Sequence, residues 1–276
     1  MYLSIDNSTS LSTEFVRQLE QIESRYWMKY YQADAILPAY SSIIEQGMAC
    51  ALPNLDILSM NRIIGLGTVT PISENTLRQI IHFYEKAGSS RFFIQLPTPI
   101  VDDKTKSLLH EHGFTHHNNW SKLYREVEPL KLITNDELSI RQVSEKEADN
   151  YGQLIFMSFD WEDTRLASWL ATTVGQKGYK NYIVSWKGKD IAAGALFVEG
   201  MMASMAFAGT LEPFRGKGAQ RLLLKARMQD AVEHGAQFIT AETGQHKEDN
   251  PVQSYLNMKK TGFRDAYLRQ NWIYRF

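Results

Sequence analysis

Residues 210–224 read TLEPFRGKGAQRLLL, in which a strand passes through a short basic turn with two glycines directly into a helix. The first turn of a helix leaves backbone N–H groups unpaired, and the helix dipole favours negative charge there. Glycine lets an anion approach the main chain closely, and Arg215 and Lys217 add positive charge. The segment therefore predicts a turn that binds phosphate. Its spacing matches neither GxxxxGK[ST] nor the full GxGxxG pattern.

The second half of the chain predicts alternating strands and helices. We predict strands at 138–143, 181–186, 191–199, 203–211, 238–242 and within 263–276. We predict helices at 148–159, 165–173, 218–234 and 251–260. Gly188 marks a hairpin between the second and third strands, and Gly235 stops the long helix. This order indicates an α+β fold with a mixed, mostly antiparallel sheet and helices on both faces.

The first half opens with a helix whose apolar face carries Phe15, Leu19, Ile22 and Tyr26. A second helix includes Leu77, Ile80, Ile81 and Tyr84, stops at Gly88, and precedes a strand at 91–96. Residues 126–137, EVEPLKLITNDE, contain a proline and an Asn-Asp pair but no periodicity, so we place a domain boundary there.

Short matches in the same order indicate an internal repeat, although chance similarity is the alternative for any one of them. The matches pair Gly88 with Gly235, Gly113-Phe114 with Gly262-Phe263, Asn119-Trp120 with Asn271-Trp272, and Tyr124-Arg125 with Tyr274-Arg275. We therefore predict two similar domains, at residues 1–128 and 136–276.

Composition excludes several classes of protein. The 30 basic and 31 acidic side chains nearly cancel, so no overall field would hold the chain on nucleic acid or an anionic membrane. The one cysteine, Cys50, permits no internal disulfide and fits a reducing compartment. No apolar run approaches the roughly 18 residues of a membrane helix, and MYLSIDNSTS lacks the parts of a signal peptide. We expect a cytoplasmic protein.

The basic turn resembles motif A of the GCN5-related N-acetyltransferases (GNAT), whose Arg/Gln-x-x-Gly-x-Gly/Ala loop binds the pyrophosphate of acetyl-CoA. Arg215 and Gly218 match this pattern, whereas Gln220 stands at the final Gly/Ala position. The resemblance continues through FITAETG and NPVQSYLNMKKTGF, where an asparagine, a helix and Gly-Phe follow as in motif B, and so covers the second half. The family also has tandem members with a degenerate first copy. Here residues 65–76 have no arginine or loop glycine after Pro71, so the first copy should not bind coenzyme A in the same way.

The resemblance implies acetyl-CoA as co-substrate and no metal. It assigns the phosphate contacts to Arg215, Gly216, Lys217, Gly218, Ala219 and Gln220, and the pantetheine contacts to Ala208 and Thr210. Asn250 matches an asparagine that contacts the coenzyme arm. The alternative for Asn250 is a helix N-cap before Pro251.

Direct transfer to an amine requires a proton acceptor, because an amine with a pKa of about 10 is mostly protonated at neutral pH. Glu242 on the strand with TAETG is the predicted base, and a structural carboxylate is the alternative; Glu212 is a weaker candidate. The family often has a tyrosine as acid where this chain has Met258. Tyr255 is the predicted acid if the helix is shifted. Otherwise Tyr267 or solvent protonates the thiolate.

Two further clusters bear on binding. Asp160, Trp161 and Glu162, followed by Asp163, would suit a cationic amine through charge and cation–π contact, and an acidic helix start is the alternative. Four histidines, His110, His112, His116 and His117, surround the Gly113-Phe114 turn, and we interpret them as a polar helix end rather than a metal site.

These features predict a two-domain acyltransferase that moves an acetyl group from acetyl-CoA to a primary amine of a small molecule or peptide, without nucleic-acid or membrane partners. The sequence leaves the oligomeric state open. A non-catalytic acyl-CoA-binding or regulatory protein is the alternative, which Met258 supports. A structural module that retains only the fold is the third possibility.

Overall fold

The structure, a computed structural model, describes residues 11–33, 37–53, 55–129 and 137–276. The helices are α1 (Thr13–Gln32), α2 (Glu74–Ala87), α3 (Asp103–Glu111), α4 (Ala148–Ser158), α5 (Arg165–Ala171), α6 (Ala219–Glu233) and α7 (Gln253–Lys260). The strands are β1 (Tyr40–Ile44), β2 (Gly47–Ala51), β3 (Arg62–Ile64), β4 (Arg91–Pro97), β5 (Thr115–Glu126), β6 (Leu138–Gln142), β7 (Tyr179–Trp186), β8 (Lys189–Glu199), β9 (Met202–Thr210), β10 (Phe238–Gly244) and β11 (Arg264–Arg275).

The eleven strands of the described residues belong to one mixed sheet, in the order β1-β2-β3-β4-β11-β5-β10-β9-β8-β7-β6. Among the described strands, only β3 with β4 and β9 with β10 pair in parallel. Helices α1, α4 and α5 cover one face, and α2, α3, α6 and α7 cover the other. The predicted α+β class, with a mostly antiparallel sheet between helices, is confirmed.

The two halves repeat one order of elements. In the first half α2, β4, α3 and β5 follow one another, as α6, β10, α7 and β11 do in the second. The matched segments Asn119-Trp120 and Asn271-Trp272 lie on β5 and β11, which pair with each other. The repeat found in the sequence is therefore a repeat of structural units.

The last strands of the two halves are exchanged. The C-terminal strand β11 lies between β4 and β5 of the first half, and β5 lies between β11 and β10 of the second. An isolated half would leave these strands with unpaired edges, which are costly and prone to aggregation. The predicted domain ranges 1–128 and 136–276 remain a prediction, and the described strands of both halves share one sheet. Residues 130–136, at the predicted boundary, lie outside the described residues.

The elements predicted in the second half form at nearly the predicted bounds. Lys187 and Gly188 make the hairpin turn between β7 and β8, and Lys189 begins β8. Gly88 adopts a φ of 76° directly after α2, a left-handed conformation that glycine takes without a steric cost. Among the described residues, no helix has the length and apolar character needed to cross a bilayer.

Candidate active site

An opening separates the carboxyl-terminal ends of β9 and β10. The two strands pair from Phe238 with Met202 up to Ala241 with Met205, and there the pairing stops. Beyond this point β9 stays paired with β8 as far as Thr210, and β10 stays paired with β5 as far as Gly244. The facing main-chain edges are therefore free to pair with an extended ligand. The predicted contact residues Ala208 and Thr210 lie on the β9 side of this opening.

A bulge in β9 lies at the same place. Ala206 pairs with Ala195 and Ala208 pairs with Gly194, so Phe207 is an extra residue in β9. Phe207 has a φ of 38°, which is rare for a bulky side chain and is found at functional sites where the surroundings enforce it. The bulge takes the main chain of Phe207 out of the ladder with β8.

The turn that follows β9 has the geometry of an anion site. Gly216 and Gly218 have φ values of 81° and 91°, and a Cβ atom at Gly216 would meet nothing within 4 Å. α6 begins at Ala219, and no side chain among the described residues caps it. Its first N–H groups thus remain available to a ligand. Arg215 and Lys217 are exposed, and the Lys217 ammonium lies 5.0 Å from the ring centroid of Trp186.

Gln220 departs from the motif, and the structure shows how it is accommodated. Its amide Nε2 donates a hydrogen bond of 2.9 Å to Thr210 Oγ1. This bond ties the first turn of α6 to the end of β9, while the neighbouring Ala219 is buried against the sheet. The helix therefore packs closely without glycine or alanine at position 220.

The corresponding helix of the first half, α2, has a closed N-terminus. Ser73 accepts a hydrogen bond from the Thr76 N–H, and Thr76 Oγ1 donates one of 2.5 Å to Glu45. Glu74 adds a further negative charge in this first turn. Side chains and carboxylates thus take the place that an anion would occupy. Leu66, just after β3, is fully buried in the core beneath α2.

Asn250 lies in an exposed turn before α7. Its N–H donates to the Lys247 carbonyl at 3.2 Å, and the Lys247 N–H donates back to the Asn250 carbonyl at 3.3 Å. α7 starts at Gln253 with Val252 as its N-cap residue, so the N-cap alternative for Asn250 is wrong. The predicted contact of Asn250 with the coenzyme arm remains a prediction.

The predicted substrate segment lies beside the bulge. The ring of Trp161 stacks on Phe159 with centroids 4.8 Å apart and meets Phe207 edge-on at 6.2 Å. α4 ends directly over β9, where a Cβ atom at Gly209 would lie 2.2 Å from Ser158 Cβ. The exposed Asp160 and Glu162 flank Trp161. Asp163 instead accepts a hydrogen bond of 3.0 Å from the Arg165 N–H at the start of α5. This contact agrees with the alternative interpretation of the segment as an acidic helix start.

Glu242 lies on β10 next to the opening, with 12% of its side chain exposed, and both of its oxygens are occupied. Arg62 Nη1 donates to Oε1 at 2.7 Å, and Arg269 Nη1 donates to Oε2. Because an arginine donates to each of its oxygens, this geometry argues against the predicted role of Glu242 as a free general base. It agrees with the alternative of a structural carboxylate.

Glu242 is the outermost member of a buried ion network beneath α1. Its members, three carboxylates and three cations, are Glu20, Glu23, Glu242, Arg62, Lys122 and Arg269. They come from α1, β3, β5, β10 and β11, so the network joins both halves. Burial alone would raise the pKa of Glu23, but the charges of Arg269, Lys122 and Arg62 hold it well below its usual value. The Arg62 guanidinium also lies 4.9 Å from the Trp27 ring and 5.4 Å from the Trp120 ring.

Tyr255, the predicted acid, does not donate into the opening. Its hydroxyl donates to Asp265 Oδ2 at 3.1 Å, and its ring stacks on His246 at 4.9 Å. Burial and the Asp265 carboxylate raise the pKa of Tyr255, so it is protonated at neutral pH. Tyr267 is buried and donates to Glu20. Met258 packs against the α6 core.

The histidines of the first half make ring and backbone contacts. His110 and His116 meet the ring of Trp272 at 5.1 and 5.6 Å, and His112 Nδ1 lies 3.0 Å from the Leu108 carbonyl. Within the described ranges, no group of His, Cys, Asp or Glu side chains is arranged to hold a metal ion.

Sequence analysis does not predict two parts of the site, the bulge at Phe207 and the ion-pair partners of Glu242. The strained Phe207 lies in the apolar run AFAGT, which gives no sign of a bulge. Arg62 and Glu23 lie 180 and 219 positions before Glu242, so only the folded chain brings them together. A charged residue on the apolar face of α1, such as Glu23, was the available signal of a buried ion pair.

Solved structures with the same fold cover nearly the whole chain. A GCN5-related N-acetyltransferase from Kribbella flavida aligns with a TM-score of 0.63 at 12% identity, over 93% of this chain and 94% of that one. One from Sphaerobacter thermophilus aligns with 0.60 at 10% identity, over 83% and 80%. A tandem GNAT protein from the clavulanic acid biosynthesis pathway aligns with 0.57 at 12% identity, over 95% and 94%.

Sequence comparison adds no relative, since neither a protein-family model nor a curated protein matches. At these identities the likeness concerns the fold. The described chain therefore has the fold of the GCN5-related N-acetyltransferases, and its two halves share one sheet.

Proposed function

We propose that this protein is an N-acetyltransferase that moves an acetyl group from acetyl-CoA to the primary amine of a small molecule or peptide by direct transfer. One observation carries the proposal: the opening between β9 and β10 leads straight to the uncapped N-terminus of α6. The free edge of β9 could pair with a pantetheine arm, and the adjoining anion seat, the main-chain N–H groups of residues 216–221, could bind the pyrophosphate that this arm carries. The acetyltransferase neighbours support the same activity.

Different residues at the opening bind different parts of acetyl-CoA. The N–H groups of residues 216–221 and the charges of Arg215 and Lys217 bind the pyrophosphate. The free edge of β9, from Ala206 to Thr210, orients the pantetheine amides as an added strand would. The main chain of the Phe207 bulge polarises the thioester carbonyl as its charge develops. The bound thioester supplies an activated acyl group and a thiolate leaving group.

The acceptor amine reaches the opening from the α1 face. Phe159, Trp161 and Phe207 form an aromatic wall there, and the exposed Asp160 and Glu162 carry negative charge beside it. This combination suits a cationic amine attached to an apolar body, since the charge and the ring faces both attract it. The aromatic side chains exclude water from one side of the reacting groups.

The proposed proton transfers do not use a free carboxylate. Because arginines donate to both oxygens of Glu242, we assign to Glu242 the role of positioning the end of β10. The ammonium group of the acceptor passes its proton to water before the amine attacks the thioester. Tyr255 is held by Asp265, so the departing thiolate takes its proton from solvent.

The first test measures release of free CoA thiol by the full chain with acetyl-CoA and a panel of primary amines. We expect turnover with cationic amines that carry an apolar or aromatic group. We expect Trp161→Ala to raise KM for the amine by about tenfold, the effect of losing one cation–π contact and its packing. Tight coenzyme binding without thiol release from any amine would favour the non-catalytic acyl-CoA-binding protein instead.

A second prediction separates the two roles of Glu242. Glu242→Gln keeps the size of the side chain but weakens its bonds to Arg62 and Arg269. We expect kcat to fall by less than about tenfold and the pH profile of kcat/KM to keep its shape, since no essential base is removed. A fall of about 100-fold or more, together with loss of the limb that rises with pH, would restore Glu242 as the general base.

A further inference from the structure

A basic groove lies between α6 and α7, beside the phosphate turn. It encloses about 530 Å³, and four of the residues that line it are basic: Arg125, Arg221, Lys225 and Lys260. No carboxylate lines it among the described residues. Apart from the main-chain N–H of Arg221, the proposed pyrophosphate and pantetheine contacts do not use this groove.

Most of this positive charge has no ion-pair partner in the part of the chain that the structure describes. Arg125 pairs with Glu128 at 2.7 Å. Arg221, Lys225 and Lys260 form no ion pair with any residue that the structure describes. Cations that converge on one groove add their positive potentials, so an anion that binds between them is attracted by all of them.

The groove continues from the anion seat. Arg221 is the third residue of α6 and belongs to the turn whose N–H groups are free. Lys225 follows four residues later on the same side of the helix, about 6 Å along its axis. Lys260 and the amide of Asn257 face this row from α7. A ligand whose pyrophosphate lies at residues 216–221 therefore meets a second cluster of donors one helical turn away.

We infer that this groove binds the 3′-phosphate of the coenzyme's nucleotide, and the inference rests on the proposed function. The nucleotide end of coenzyme A carries one charged group besides the pyrophosphate, a phosphate monoester on the ribose, which is mostly dianionic at neutral pH. Arg221, Lys225 and Lys260 bind this group, with Asn257 as an additional donor. The protein thereby selects coenzyme A thioesters over donors that end in phosphopantetheine or lack the 3′-phosphate.

The test compares coenzyme A with 3′-dephospho-coenzyme A by titration calorimetry on the full chain. We expect coenzyme A to bind at least about tenfold more tightly than the dephospho compound, because the latter lacks one doubly charged group that would bind at a partly exposed site. In Lys225→Gln/Lys260→Gln the preference should shrink to about twofold, while affinity for the dephospho compound stays at the wild-type value. Glutamine keeps the helix propensity and removes only the charge.

Lys86→Gln is the matched control, because Lys86 is an exposed lysine in the last turn of α2, outside the groove. It should keep the wild-type preference. Equal binding of the two nucleotides by the wild-type chain, or an unchanged preference in the double variant, would overturn the inference and leave the proposed function standing. Binding of neither nucleotide would overturn both.

Discussion

Replacing Arg269 by alanine is expected to lower the free energy of unfolding by about 3–5 kcal/mol. Arg269 is fully buried and donates to Glu20 at 2.8 Å, to Glu23 at 2.8 Å and to Glu242. Its removal leaves three carboxylates facing the two remaining cations of the network. An uncompensated buried charge costs far more than a lost surface contact. Urea unfolding followed by tryptophan fluorescence and far-UV circular dichroism measures the loss.

The matched control is Arg17→Ala, which breaks the exposed Arg17–Glu14 pair on the same helix as Glu20 and Glu23. It should shift the urea midpoint far less, because water screens an exposed pair. Arg269→Lys keeps one positive charge and should fall between the two. If Arg269→Ala and Arg17→Ala shifted the midpoint equally, the network would not hold the two halves together.

The same ion network should make the free energy of unfolding depend on pH in the acidic range. The pKa of Glu23 is lower in the folded protein than in the unfolded chain, because the surrounding cations outweigh its burial. The carboxylate therefore stabilises the folded state above the unfolded pKa of about 4.3, and this stabilisation is lost as the pH falls toward the folded pKa. In Glu23→Gln the stability should depend less on pH in this acidic range.

The double substitution Arg215→Glu/Gly218→Asp should weaken acetyl-CoA binding by at least about 100-fold, equivalent to about 2.7 kcal/mol. It places two negative charges and a side chain where the proposed pyrophosphate lies against the first turn of α6. Charge repulsion then replaces charge-assisted hydrogen bonds. Titration calorimetry with acetyl-CoA measures the change.

Gly235→Asp is the control for backbone strain in that experiment. Gly235 has a φ of 83° at the other end of α6, and a Cβ atom there meets nothing within 4 Å, so the strain is similar to that at Gly218 but lies away from the anion seat. It should lower stability and leave the dissociation constant unchanged. An unchanged dissociation constant in the double variant would remove the coenzyme assignment.

The parts of the fold that local sequence determines were predictable. Helical periodicity, stop glycines and the Lys187-Gly188 hairpin act within a few residues and place the elements of the second half. The short strands β1, β2 and β3 were not predicted, since β2 and β3 are buried on both faces and show no alternation. The exchange of β5 and β11 was also missed. The two strands share the pairs Asn-Trp and Tyr-Arg, and their local sequence does not indicate which neighbours each strand pairs with in the sheet.

In the candidate site, too, the features that depend on a few neighbouring residues were predictable, and those that depend on distant residues were not. The turn at 215–218 was predictable because glycine, positive charge and a helix start act together within a few residues. The partners of Glu242 were not, since Arg62 precedes it by 180 positions and the sequence alone does not show which residues lie opposite. The sequence therefore predicts a free base at Glu242, whereas the fold pairs both of its oxygens with arginines.

The most direct measurement is a crystal structure of the full chain grown with acetyl-CoA. We predict pyrophosphate oxygens about 3 Å from main-chain nitrogens within residues 216–221, and the pantetheine arm between β9 and β10. An opening without coenzyme in crystals that otherwise bind it, or a coenzyme bound at another surface, would contradict the acyl-CoA site from which the proposed function follows.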